Sequence, residues 1–418
     1  MKNKLWIFCC TFVVMLFAMG ATEVNAAKAD DEWNYESEVK VTMGGFTYNA
    51  ITSLDEKEIW IYEINVNTKN NDCQELNIPK MLDNKIVTRI GYTVKKSPCE
   101  EGYNHTIFGG CEENLYGVGA GAITNITIPE TVEIIQPMTF CAAYAITSIT
   151  IPPKVKIIEE ETFGECWNLK TVNLPSDLKK IGKKAFAECP KLKNLSLSAK
   201  NKTYKIKDKC VIRKKDKALL YVLPKKGTLK IPDGVKIIEE YAFCNCTSSE
   251  IHIPASVIHI EDYAFEPLEQ QLYYDVKNIT VSKKNKIYGN DGQCIYNKKN
   301  KTLVIAVVDD KGNLVVSDKV KYLKNTYSIV NYNPYLDELK KVVLPEGLKK
   351  IEAYSLERLC AADKVYFKGE IPPTIKKKKG GSVSLPCHVY VPKNSYNAYK
   401  KWYKKYNKNN KCVTLYTY

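Results

Sequence analysis

The chain has 418 residues, of which 44% are apolar and 26% charged, with a formal net charge of +15. That composition excludes a largely disordered chain and, at ordinary domain sizes, predicts more than one compact body. Fifteen cysteines are too few for a small disulfide-stapled protein, and four histidines leave little room for a metalloenzyme. Arginine occurs only at Arg89, Arg213 and Arg358. The positive charge is therefore a field of hydrated lysine ammoniums, which disfavours sequence-specific reading of nucleic-acid bases.

In chain order, Lys2 and Lys4 precede an uncharged apolar run from Leu5 to Ala21, and Val24-Asn25-Ala26 has the small residues of a cleavage site. Residues 1–26 read as a signal peptide, so the expected protein is secreted or cell-surface associated, with no membrane span after cleavage. An uncleaved anchor is the competing reading, because the apolar run nearly reaches bilayer length.

Residues 27–70 read as N-terminal capping strands, and a repeat occupies 71–372. Ile126-Thr-Ile128-Pro129 recurs as Ile149-Thr-Ile151-Pro152 and Val172-Asn-Leu174-Pro175, and further copies run to Val389-Tyr-Val391-Pro392. The alternation gives a short strand with one buried face, and the proline removes a backbone donor and ends it. Each full unit continues with a valine or leucine, an isoleucine, a phenylalanine and often a cysteine, as in Val155, Ile158, Phe163 and Cys166. The phenylalanine-to-cysteine stretch suggests a brief helical turn. No unit can bury its apolar face alone, so the units must stack into a β-rich solenoid. An earlier copy, Leu76-Asn-Ile78-Pro79, stands 50 residues before the first, an interval that predicts two turns with an insertion at 95–105.

Two hairpin insertions, 198–228 and 282–313, match one another. Asn201, Tyr204, Cys210 and Leu219 correspond to Asn285, Tyr288, Cys294 and Leu303, and both pieces read as excursions from the solenoid. Residues 373–418 hold a last repeat and a basic aromatic cap. In that cap Ser395 would start a helix carrying Tyr396, Tyr399, Tyr403 and Tyr406 on one stripe, with Trp402 beside it. The stripe would close the open end of the last repeat.

The Ile-Thr-Ile-Pro, Val-x-x-Ile and Phe-x-x-Cys elements, coordinated over roughly residues 70 to 400, resemble the BspA-type leucine-rich repeat family. Phe46-Thr-Tyr48 and Trp60-Ile-Tyr62 are similar to that family's N-terminal half-repeats, and Val391-Pro392 with Tyr396, Tyr399 and Trp402 to its closing segment. The resemblance implies a leucine-rich repeat horseshoe, capped by strands at one end and a helix at the other. It further implies a non-enzymatic protein used for adhesion or protein binding at a cell surface.

Candidate chemistry reads as structural. Cys111, Cys166, Cys189 and Cys246 each follow a unit phenylalanine by three residues. They are expected to form an inward ladder of thiols. Cys99–Cys111 and Cys387–Cys412 are the off-pattern pairs that could form disulfides. A catalytic cysteine needs a base and an orienting partner, and none of His105, His252, His259 and His388 stands in such a setting. Glu159-Glu160-Glu161 and Glu239-Glu240 recur with the period and read as solvated turns. Gly117 to Gly121 is a loose loop cluster, and Lys376 to Lys379 an exposed charged one. No catalytic residue, metal site or cofactor is expected.

Binding is expected on the strand face. The outward positions form a column running Thr127, Thr150, Asn173, Ser196, Lys230, His252, Thr280, Val315, Val343, Tyr366 and Tyr390. The residue before each strand forms a second column that includes Lys341 and Lys364. The first half is small and uncharged and the second larger, so Lys230, His252, Lys341, Lys364, Tyr366 and Tyr390 are the candidate face. Rigid tyrosines offer large contact area at low entropy cost. The expected partner is a protein on a host or neighbouring cell, with an anionic cell-wall polymer attracted by lysine as the alternative.

Overall fold

The computed structural model describes residues 32–67, 75–91, 123–265, 276–324, 328–330, 339–376, 383–406 and 414–418. The signal segment, the insertion at 95–105, His105, the Cys99–Cys111 pair, the Gly117–Gly121 cluster, Lys377–Lys379 and Cys412 lie outside them. The protein is a β-rich repeat solenoid, divided into one unit of Met1–Cys189 with Asn194–Lys200 and a second of Pro190–Lys193 with Asn201–Tyr418.

In the first unit, strands Trp33–Met43, Phe46–Ser53 and Glu58–Val66 form an antiparallel meander. The meander's last strand pairs in parallel with Lys85–Ile90, the first strand of the repeat's second ladder. A small core of Trp33, Ile51 and Trp60 holds the meander, with the two indoles edge to face at 5.5 Å. Arg89, 2% exposed, lays its guanidinium 4.5 Å from the Trp60 ring, where cation–π attraction replaces part of its lost hydration.

The repeat then builds two parallel ladders. Strands Glu75–Asn77, Asn125–Thr127, Ser148–Thr150, Thr171–Asn173 and Asn194–Ser196 stack in register through the first. In each, the central apolar residue is buried and at least the residue after it is exposed, as alternation requires. Leu76 pairs directly with Ile126, so a single turn, not two, separates these copies. The second ladder is shorter, Arg89–Ile90 pairing with Ile134–Ile135, and Ile157–Ile158 with Lys180–Ile181.

The stretch before each cysteine is not helical here. Glu161 and Glu165 take φ of 51° and 59°, and Lys184 and Glu188 repeat this one unit later at 52° and 53°. Left-handed residues break a right-handed helix. Their cost is offset because alternate amides bond to the next turn: Glu161, Phe163 and Glu165 donate to the carbonyls of Lys183, Ala185 and Ala187. Among the described residues a helix at the equivalent place forms only later, at Ala353–Leu359. Inside the turns Phe140, Phe163 and Phe186 stack at 5.5 Å spacing, all essentially inaccessible.

The second unit repeats the plan with its own hydrophobic clusters. Here the two insertions differ from expectation. Tyr204–Lys207, Cys210–Arg213 and Ala218–Val222 form an antiparallel meander, but its third strand pairs in parallel with Ile237–Ile238. Tyr288–Asp291, Cys294–Asn297 and Leu303–Val307 do the same, the third strand pairing with Ser328–Val330. Each third strand is thus a rung of the solenoid, because its residues are too apolar to leave the core: Ala218 to Val222 are all buried.

A buried asparagine anchors each insertion. The Asn201 side-chain oxygen accepts from the amides of Thr203 and Tyr204, and that of Asn285 from Ile287 and Tyr288. Lys214 and Lys298 each donate to the asparagine's own carbonyl at 2.6 Å.

At the C-terminus a 3-10 turn, Lys393–Ser395, runs into the helix Tyr396–Tyr406. Ser395 is therefore not the first cap. The helical run begins a turn earlier, behind Pro392, and Ser395 is buried within it. Trp402 belongs to the buried face with Tyr399 and Tyr403, its indole donating to the carbonyl of Pro373. The helix does not end the ladder, because Thr414–Thr417 adds one more parallel rung beside His388–Val391.

Candidate binding face

The outward residues line up as registered pairs, in three runs. Asn77, Thr127, Thr150, Asn173 and Ser196 form one, in the first unit. Lys230, His252 and Thr280 form the next, and Val315, Val343, Tyr366, Tyr390 and Tyr416 the last, both in the second unit. The six candidate residues therefore fall in two sheets: Lys230 with His252, and Lys341, Lys364, Tyr366 and Tyr390 together.

The first-unit run is chemically quiet. It lines a shallow groove of about 480 Å³ whose floor carries Asn77, Thr127 and Thr150. The polar groups there bond to each other, as in Asn173 to Thr150 at 3.0 Å. In the middle run His252 Nδ1 lies 2.9 Å from the Thr280 hydroxyl, which occupies the ring, while Lys230 stays exposed.

The last run concentrates aromatic surface. Tyr366 and Tyr390 stack at 4.4 Å, and Tyr390 and Tyr416 at 4.8 Å, with nearly parallel rings. The parallel register forces this, since rungs sit about 4.7–4.9 Å apart and like residues at like positions must overlap. Lys341 places its ammonium 4.7 Å from the Tyr366 ring. Lys364 pairs with Lys341 in register and is exposed. Tyr418 packs on Tyr366 at 5.8 Å and donates to the carbonyl of Phe367. Val343, expected to point outward, retains 9% exposure. The sequence reading stopped the column at Tyr390 and missed Tyr416 and Tyr418. Thr414-Leu415-Tyr416, an apolar residue between two outward ones, was the available signal.

The remaining candidates are structural. Cys166 and Cys189 are buried, and their thiols donate to the carbonyls of Phe140 and Phe163, one turn back. Burial raises the Cys166 thiol well above its ordinary pKa, and pushes Cys210 up to about 12 and Cys294 to about 11. Such thiols are not nucleophiles. His259 pairs with Glu261 at 3.1 Å on an exposed edge. Glu159 and Glu161 pair with Lys180 and Lys184. Among the described residues no cluster of three or more histidines, cysteines or carboxylates could hold a metal ion.

Residues 118–215 and 223–300 match the sequence pattern of the BspA type leucine rich repeat region, in six copies. The protein carries BspA-type leucine-rich repeats. These repeats account for the two ladders and the phenylalanine column just described. No curated protein sequence matches the chain. Among solved structures it is similar to a leucine rich cell surface protein from Faecalibacterium prausnitzii, at 16% identity over 80% of this chain and 96% of that one, with a TM-score of 0.43. The pneumococcal vaccine antigen PcpA is 16% identical over 91% of this chain and 98% of its own, at 0.37. A leucine-rich repeat protein from Bacteroides ovatus is 16% identical over 90% and 99%, at 0.33. Among the described residues no helix is long and apolar enough to cross a membrane.

Proposed function

We propose that the protein is a secreted or cell-surface, non-enzymatic scaffold that binds a protein ligand through the strand face of its last rungs. The observation that carries this reading is the outward-facing ladder of Tyr366, Tyr390 and Tyr416, half-buried at the first two and exposed at the last, flanked by Lys341, Lys364 and His388. Each ring is restrained by stacking on its neighbour, and the strands of Tyr366 and Tyr390 are paired on both sides, so little side-chain entropy remains to be lost on binding, and the tyrosine edges and hydroxyls present a mixed apolar and polar surface. The lysines around them favour a ligand with an acidic patch. The cell-surface role implied by the resemblance to the BspA-type family agrees with this reading.

The test compares the chain starting at Ala27 with its Tyr366→Ser/Tyr390→Ser variant as immobilised bait for extracts of surface proteins. A protein held by the first and lost from the second supports the reading. Retention unchanged by the two substitutions overturns it.

A further inference from the structure

A second surface, on the other ladder, carries a different chemistry. The second ladder's last three rungs, Tyr322–Leu323, Lys350–Glu352 and Thr374–Lys376, pair in parallel. With the tip of the second insertion they border a groove of about 490 Å³. Six lysines line it: Lys299, Lys301, Lys321, Lys324, Lys349 and Lys350. The one carboxylate at its rim, Glu352, is held by Lys376 at 3.6 Å. Among the described residues no carboxylate pairs with any of the six.

The main chain places these lysines in file. The carbonyl of Lys301 accepts from the amide of Lys321 at 2.8 Å, and the carbonyl of Lys321 from that of Lys349 at 2.9 Å. Lys301, Lys321 and Lys349 therefore occupy one position on three successive turns, a rung apart. The insertion tip is equally fixed: Asn297 accepts from the amides of Lys299 and Asn300, and its amide donates to Thr302. Like charges on neighbouring rungs repel, and among the described residues the one carboxylate at the groove, Glu352, is paired with Lys376 and not with these six.

In the first unit, lysines on and beside the corresponding rungs have acidic partners. Lys156 pairs with Asp177, Lys154 with Glu133 and Lys180 with Glu159. The first insertion tip likewise has Asp216 and Glu239 on Arg213. The first insertion sets Lys217 and Lys236 in the same register, but the next turn places Ile258 there, so among the described residues a file of three lysines forms only at the second insertion and the turns after it.

We propose that this groove holds a linear phosphate polymer, its successive phosphates neutralising successive rungs of lysine. The occupant must be anionic and extended, because the charges form a row along the stacking direction. Phosphate fits better than carboxylate, since an ammonium is a compact point charge that meets a phosphate oxygen from any direction, whereas planar carboxylate recognition favours arginine. Nucleic acid fits less well: the groove has no arginine and a single, half-buried aromatic, Tyr322, on which a base could stack. This surface is independent of the tyrosine face.

The experiment titrates the chain starting at Ala27 with linear inorganic polyphosphate at low and moderate salt, with polyglutamate and a single-stranded oligonucleotide of equal charge as comparators. A Lys321→Gln/Lys349→Gln/Lys350→Gln variant is compared with Lys154→Gln/Lys156→Gln/Lys180→Gln, which removes the same charge from the first unit. Circular dichroism confirms that both fold. The groove variant is expected to bind polyphosphate at least about tenfold more weakly. Its log–log salt slope should be shallower by about 2, at roughly 0.7 per lost phosphate contact. The first-unit variant should change affinity less than about twofold. Equal weakening by both variants would show diffuse attraction and overturn the proposal. Absence of polyphosphate binding at low salt, or tighter binding of polyglutamate or the oligonucleotide, would overturn it too.

Discussion

The turns between Ile126 and Leu192 and those between Leu314 and Thr417 are built on the same backbone repeat, yet they keep their aromatic rings and charges in opposite places. In the earlier turns the rings stack inside, Phe140 on Phe163 on Phe186, while the outward residues are small and the lysines are paired with glutamate or aspartate. In the later turns the stacked rings are outside, Tyr366 on Tyr390 on Tyr416, and among the described residues the groove lysines of the second ladder pair with no carboxylate. Their interior is closed instead by Phe367, Tyr399 and Trp402 around the C-terminal helix. A parallel ladder multiplies whatever occupies a position, and whether that yields stability or a binding surface depends only on which way the position faces.

Substitutions separate the inner stack from the outer one. The largest effect is expected for Phe163→Ala, which empties the middle of the inner stack and should cost about 3–5 kcal/mol in denaturant unfolding. A loss under about 1 kcal/mol would mean that the column is not what holds these turns. Asn285→Ala removes the acceptor for two buried amides and the donor to the carbonyls of Pro254 and Val257. It should cost about 1–3 kcal/mol for each group left without a partner, less any repaid by water.

Gly182→Ala tests how closely the early turns pack. A Cβ there would lie 2.5 Å from the Glu160 amide nitrogen, backbone that has nowhere to move. The expected cost is about 1–3 kcal/mol, and a neutral result would mean that these turns do not pack closely at Gly182.

The buried thiols predict a pH dependence. Burial raises Cys210 to about 12 and Cys294 to about 11, above the unfolded thiol near 8.5. Between those values the unfolded chain loses protons that the folded chain keeps. The stabilisation is complete below about pH 8.5 and declines as pH rises toward 11 and 12. The slope is at most about 1.4 kcal/mol per pH unit for each thiol. Cys210→Ala should flatten the decline measured by chemical unfolding, and an unaltered slope would remove this thiol as its source. A smaller effect than that of Phe163→Ala is expected outside, where Tyr390→Ser should cost about 1–3 kcal/mol for its two half-exposed stacking contacts, at roughly 0.5–1.5 kcal/mol each. A cost rivalling that of Phe163→Ala would erase the distinction between the inner and outer stacks.

Much of this was legible residue by residue. The strands, their inward residues and the thiol-bearing turns followed from the Ile-x-Ile-Pro and Phe-x-x-Cys spacing. The matched Asn201 and Asn285 pieces announced two equal insertions before their hydrogen bonds were known. The third strand of each insertion was not readable as a rung, because a continuous apolar run such as Ala218 to Val222 does not say which neighbour it pairs with. The left-handed residues at Glu161 and Glu165 were hidden too, since glutamate carries no signal for positive φ. Nor did the lysine after each unit's valine or leucine look special, when Lys156, Lys236, Lys321 and Lys349 share the same local sequence.

The sequence by itself determined the repeat, the face each strand residue takes and the charge carried by each turn, because a period acts on every copy alike and alternation within a strand is local. Tertiary structure decided which copies became neighbours. It joined Leu76 to Ile126 across a long insertion, brought the C-terminal Tyr416 back onto Tyr390, and set Lys301, Lys321 and Lys349 in file. The physical reason is that backbone pairing between distant segments has no counterpart in local spacing, and it alone sets whether a lysine meets a carboxylate or another lysine.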